Sequence, residues 1–423
     1  MTGLGALLLT LPAVAPAQAG QTIPRLPRTS AAANTPRVVD DSTVTDAGLQ
    51  VLRQVRGTMY AGGDVHQVLN SDGSRTYVRH NIFSFNAQTR RMTAWAPRLN
   101  GGVYAIVPSS NGRYLYIGGR FTSYNGHPVN HLVKYDRLTN RIDPRFRFRM
   151  RTSRISDLQV VGGRLFVAGN LPLGGLAAVN QGTGARETYF NRTLASGRQP
   201  GYSTRVYRFA VNRAKTKMVV LGSFTSIGGH PRQQAAMLQL RPRQATVSAW
   251  TSPRWNGRCS DDERFYPRDV DWSPAGDTFA VVTTGAAAPG TSKLCDTVSF
   301  WRGTNAGNQQ PLWVNYSGGD TFTSVTVTNR AVFVSGHFRW LDNPQGHDSK
   351  GPGAVDRRGL AAVSRTTGRA LAWNPSKSTE GGRGGYQLYF TDRGLWVAQY
   401  EKYLGTDSHG DLERHDGLGL LPY

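Results

Sequence analysis

The chain has 423 residues, with 50 Lys and Arg against 27 Asp and Glu, a formal charge of +23. Its 49 glycines and 22 prolines, without long helical periodicity, exclude a mainly helical protein. No apolar run nears the ~20 residues of a membrane-spanning helix, and no Lys/Arg block is longer than two (Arg90-Arg91, Arg357-Arg358), which excludes a basic tail.

The first element in chain order reads as an export signal. Leu4 to Val14 is apolar, and Ala17-Gln18-Ala19 forms an A-x-A cleavage site before Gly20. Met1-Thr2-Gly3 lacks the usual basic residue, the one departure from that pattern. Residues 20–36, with Pro24, Pro27 and Ala31-Ala32-Ala33, read as an unstructured leader. Cysteine usage agrees with a secreted or cell-surface chain. Cys259 and Cys295 are expected to form a disulfide, closing a loop worth ~3–4 kcal/mol in the chain-entropy model.

From residue 37 onward the chain repeats one phrase with a period of roughly 50 to 60 residues. A first strand is expected at 49–54, 103–107, 155–161, 206–211, 269–272, 323–327 and 386–390. A second follows a tight turn at 59–63, 114–119, 165–169, 218–222, 278–283, 332–336 and 395–398. A third is expected at 82–85, 132–135, 176–179, 237–240, 298–301, 360–363 and 418–421. Fourth strands carry an aromatic at Trp95, Phe146, Tyr189, Trp250, Trp313 and Trp373, one fewer than the others. The repeat implies an all-β fold with one domain over 37–423, a β-propeller of seven four-stranded blades. Val38 to Val44 is expected to supply the missing strand of the last blade, removing an exposed edge. The paired glycines of the second strand (Gly62-Gly63, Gly118-Gly119) suit strands crowded near an axis. The fourth-strand aromatics suit the wider outer gaps between blades.

The string Tyr-Ile-Gly-Gly-Arg-Phe-Thr-Ser-Tyr-Asn-Gly (116–126), followed by Leu-Val-Lys-Tyr-Asp-Arg-Leu-Thr-Asn (132–140), resembles the delta-60 repeat of exported actinobacterial, kelch-like propellers. Residues 221–229 and 335–338 with 360–368 are similar. The pattern decays at 281–285 and 397–400, where Gly-Gly-x-Phe is lost. The resemblance implies a propeller and an extracellular location. It implies no agreed activity and carries no catalytic set.

Chemistry is sparse. No G-x-S-x-G, H-E-x-x-H, P-loop or EF-hand string occurs, and no cofactor or metal is indicated. Ligands of a propeller sit at one channel mouth, by analogy with the fold. The loops entering the inner strands bring Arg154, Arg205 and Arg268 there, with Tyr202 and Tyr266 as stacking walls. Three guanidiniums make an anion site; alternatively each pairs with a nearby acid such as Asp157 or Asp269. Only seven of the basic residues are lysine. An arginine charge fits an anionic partner, or a solvated surface shaped by GC-rich coding. Two acidic clusters, Asp407/His409/Asp411/His415/Asp416 and Asp261-Asp262-Glu263, read as polar loops. The expected function is that of a monomeric binding module for an anionic surface polymer or a protein, without a nucleic-acid motif. The alternative is a polysaccharide hydrolase or lyase, which needs two carboxylates, or a carboxylate and a histidine, converging at the mouth.

Overall fold

Strands Val103–Pro108 and Leu132–Asp136 are buried at every position, the mark of sheets covered on both faces. The structure, a computed structural model, describes residues 20–190, 204–256, 259, 265–285, 293–378, 384–407 and 409–423, and the backbone of 194–197. The described residues form no α-helix, and no helix among them is long and apolar enough to cross a membrane. Seven antiparallel meanders start from strands Gly48–Val55, Val103–Pro108, Ile155–Val161, Val206–Val211, Tyr266–Trp272, Phe322–Val327 and Gly385–Thr391. These are the inner strands of sheets one to seven. Sheets two to five have four strands each. In sheets one and six the expected fourth strand shrinks to the isolated bridges Phe85–Met92 and Val363–Ala370.

Seven apolar clusters lie between consecutive sheets. One spans sheets one and two through Val51, Tyr60 and Ile117. Another joins Leu52 and Phe85 of sheet one to Trp396 and Leu420 of sheet seven. The outer aromatics fill these gaps: Trp250, fully buried, packs edge-on to Trp301 of the next sheet at 5.5 Å.

Inner strands leave one edge of N–H and C=O groups unpaired, and a buried unpaired group is costly. Side chains of the neighbouring sheet bind them. Asp157 Oδ2 accepts from the Phe209 N–H at 3.1 Å, and Asp269 Oδ2 from Val325 at 3.0 Å. Asp271 Oδ2 accepts from Val327 at 2.8 Å, and Gln387 Oε1 from Leu52 at 2.5 Å. Arg53 Nε donates to Ile106 O at 3.1 Å.

Each inner strand also carries one extra residue, a β-bulge that shifts the register within its first four residues. In sheet five the shift falls between Pro267 and Asp269. The bulges explain the glycine pairs. A Cβ on Gly63, Gly119, Gly169, Gly222 or Gly336 would overlap the carbonyl oxygen of the residue leading into the same sheet's inner strand. The glycine before it meets a different obstacle: a Cβ on Gly62 or Gly118 would lie 2.6 Å from Val103 or Ile155 of the next sheet.

The N-terminal segment corrects two expectations. Residues 20–36 are not an unstructured leader. Ile23 is 2% exposed in the cluster between sheets six and seven, with Leu26 and Ala31 against it. The Arg28 and Ala32 N–H groups donate to Pro422 O and Leu420 O, both at 2.7 Å, along the outer edge of sheet seven. Residues 38–44 do not take that edge. Arg37–Val39 pairs instead with Gln67–Leu69 in an outlying sheet. The strand ends there because Asp41 turns the chain, its Oδ1 accepting from Thr43 and Val44 at 2.7 and 2.9 Å. Residues 1–19, the expected export signal, lie outside the described residues. Cys259 and Cys295 form the expected disulfide.

Candidate functional site

The seven bulge residues are Gln50, Tyr104, Ser156, Tyr207, Arg268, Thr323 and Tyr386, one per sheet. All seven line one cavity of about 450 Å³ at the channel mouth. A bulge residue has no cross-strand partner, so its side chain turns out of the sheet. Arg120, Arg154, Arg205, Arg208 and Tyr266 also line it, as do Asp64 and Tyr400.

Arg154, Arg205, Arg268 and Tyr266 therefore share one cavity. Tyr202 lies outside the described residues. Arg268 is not equivalent to the other two arginines, however. Arg154 and Arg205 lie two residues before the bulge of their inner strands, the place that Tyr266 takes in sheet five, whereas Arg268 is that sheet's bulge. Reading the strand as starting at Asp269 hid this two-residue offset.

The basic side of the mouth is held by tyrosines. Arg154 stacks over Tyr104 at 4.2 Å, Arg205 over Tyr207 at 4.8 Å, and Arg268 over Tyr266 at 5.4 Å while donating to its hydroxyl at 2.8 Å. None of these three guanidiniums has a carboxylate within 4 Å among the described residues. Burial pulls the Arg154 guanidinium below its ordinary pKa, and Arg208, Arg205 and Arg120 push the same way against the Tyr104 ring.

The part lined by sheets one and seven is internally paired. Tyr400 donates to Asp64 Oδ2 at 2.5 Å and accepts from Gln50 Nε2 at 2.9 Å, and Arg120 reaches Asp64 Oδ1 at 3.4 Å. Tyr386 packs edge-on against Tyr400 at 5.1 Å. Five arginines (120, 154, 205, 208 and 268) thus face one carboxylate around the cavity.

One layer below, a cavity of about 110 Å³ holds Asp157, Asp269, Asp271 and Arg208. Burial raises the carboxyl of Asp157 and pushes that of Asp269 up to about 6, against the pull of Arg208 in both cases. Arg208 Nε lies 3.9 Å from Asp269 Oδ1. Each acid also accepts a backbone N–H of the next sheet, so these carboxylates hold sheets together.

No family model matches the chain, and no curated protein does. Many solved structures share its fold. A chain in the crystal structure of the mitotic checkpoint complex aligns with a TM-score of 0.53 at 12% identity, covering 100% of this chain and 99% of that one. The fold is propeller-like. The computationally designed protein Ika8 aligns at a TM-score of 0.47 and 11% identity, covering 92% and 98%, too distant to argue from. At such identities the likeness extends to the fold alone.

Sequence reasoning missed Tyr104, Tyr207 and Tyr386, although a signal was there: each is the second residue of the phrase, in Val103-Tyr104, Val206-Tyr207 and Gly385-Tyr386. Arg120, Arg208, Asp64 and Tyr400 had no comparable signal, because they meet only across sheets. The Asp407 loop binds its own backbone: Asp407 Oδ1 accepts from His409 and Asp411. Asp416 pairs with Arg414 at 3.0 Å, and His415 with Thr35 at 3.0 Å. Asp261, Asp262 and Glu263 lie outside the described residues.

Proposed function

We propose that the chain is an exported seven-bladed propeller of the delta-60 kind, binding an acidic polymer at its channel mouth. The observation that carries this reading is the set of Arg154, Arg205 and Arg268, stacked on tyrosines and without a carboxylate partner among the described residues. Such forks take a carboxylate or phosphate two-pronged, and the tyrosine faces suit the apolar side of a sugar ring. A cavity of about 450 Å³ admits one acidic sugar or a chain end. Tyr202, beside Arg205 in sequence, is proposed as a further wall. Seven bulged inner strands and seven inter-sheet clusters support the blade count, with residues 28–32 standing in for the last blade's outer strand. The disulfide and the A-x-A site support export. The hydrolase or lyase alternative needs a second acid at the mouth, where Asp64 is the carboxylate present and is already bound by Tyr400 and Arg120.

Titration of the purified chain with a uronic-acid oligomer and with polyphosphate tests the reading. Binding should weaken as salt rises, and the triple Arg154/Arg205/Arg268→Ala variant should lose about 100-fold or more in affinity. Its melting temperature should hold or rise, because like charges are removed from one wall. Unchanged affinity in the variant overturns the proposal, as does binding confined to an acidic protein.

A further inference from the structure

Asp271 is a buried carboxylate, 6% exposed, at the end of its inner strand remote from the mouth. It accepts the N–H groups of Trp272 at 2.9 Å and Val327 at 2.8 Å. The Gly20 N–H is the weakest of the influences that favour its ionised form. Among the described residues no basic side chain comes within 4 Å of it, and Asp269 adds a like charge nearby.

Gly20 is held there tightly. A Cβ on it would overlap Trp272 O and the backbone of Ser273 and Pro274. Its neighbour Gln21 is clamped to sheet six, its N–H donating to Val327 O and its C=O accepting from Asn329, both at 3.1 Å. Asn329 Oδ1 then accepts from Ile23 at 2.7 Å. Residues 20–23 thus carry the nitrogen of Gly20 to a carboxylate that has no counter-ion. Gly20 is also the residue that follows Ala17-Gln18-Ala19.

We propose that Gly20 is the N-terminus of the exported form and that its ammonium is the counter-ion of Asp271. Hydrolysis of the Ala19–Gly20 amide by a signal-peptidase-type enzyme consumes one water. The oxygen goes to the Ala19 carbonyl carbon, leaving a carboxylate, and both protons go to the Gly20 nitrogen, leaving an ammonium. With Ala19 attached, Gly20 offers Asp271 a single neutral N–H. After cleavage it offers three donors and a unit positive charge. The fold buries Asp271 in either case, and that burial raises its carboxyl well above the ordinary range, so the attraction of the new cation goes partly to ionising the acid and partly to dehydrating the amine. Processing therefore completes the seam between sheets five and six, and the folded protein is tighter once exported than before.

The test compares the chain beginning at a free Gly20 with the full chain retaining residues 1–19 and with the Nα-acetylated 20–423 form. The free-amine form should melt roughly 3–8 °C higher than either, and Asp271→Asn should abolish that difference. Should Asp271→Asn fail to fold, amine acylation of the wild type decides: the Gly20 amine should react about 100-fold more slowly in the native protein than in urea. Equal melting temperatures, a difference that survives Asp271→Asn, or a native Gly20 amine that reacts as fast as in urea overturns the proposal.

Discussion

Arg208→Met is expected to destabilise the protein by about 3–5 kcal/mol at pH 7.5 and by far less at pH 5. The guanidinium faces Asp157 and Asp269 in the narrow cavity below the mouth. Methionine keeps most of the stem volume but leaves two half-buried carboxylates without their cation. Burial holds the Asp269 carboxyl at about 6, against an ordinary 3.8. The folded state therefore binds the proton more strongly than the unfolded state. Stability from this group is highest below the unfolded value and falls as pH rises through about 6. Asp157, raised in the same direction, acts with the same sign. Removing Arg208 lifts both folded values further, so the loss grows above pH 6 and nearly vanishes where wild type and variant are both protonated. Thermal denaturation of both proteins across pH 4.5–8 checks this, with exposed Arg213→Met as a control expected within about 0.5 kcal/mol of wild type. A loss of equal size at every pH would show that Arg208 acts through packing, not charge.

Gly119→Ala is expected to cost about 3 kcal/mol or more and to weaken ligand binding as well. The added Cβ would overlap Gly102 O and crowd Val103 Cα. Both are backbone, so the strand itself has to move. What moves is the bulge that presents Tyr104, the ring under Arg154 and near Arg120. Gly57→Ala is the matched control, since a Cβ there meets nothing within 4 Å. Urea denaturation together with titration of the uronic-acid oligomer separates the two effects. A Gly119→Ala protein with wild-type stability would remove the steric account of the glycine pairs.

The repeat made the inner strands legible because each is a short apolar run followed by a tight turn, and burial on both faces kept those runs continuous. Arg154, Arg205 and Arg268 could be found because they fall at the entry of repeated strands. The offset of Arg268 could not be read, since a bulge adds one residue without changing the local apolar pattern. The N-terminal segment misled for a different reason. Pro24, Pro27 and three alanines look unstructured in isolation, but Ile23 and Leu26 find a finished groove between sheets six and seven. Asp64, Tyr400 and Arg208 are spread over more than 300 positions of sequence and meet only in the assembled ring. No local pattern announces such a meeting.

The seven bulges also bear on how such a protein can change. A residue held in a ladder is judged by its neighbours on both strands, and replacing it disturbs the sheet. A bulge residue has no cross-strand partner, so the ladder closes around it and places fewer demands on its side chain. Gln50, Tyr104, Ser156, Tyr207, Arg268, Thr323 and Tyr386 already differ widely in size and charge while keeping one backbone geometry. The scaffold thus separates heredity of shape from heredity of taste: descendants of this chain can respell most of these positions and alter the mouth, while Ser156 and Thr323, whose hydroxyls donate to Val206 O and Gly385 O of the next sheet, stay tied to the fold.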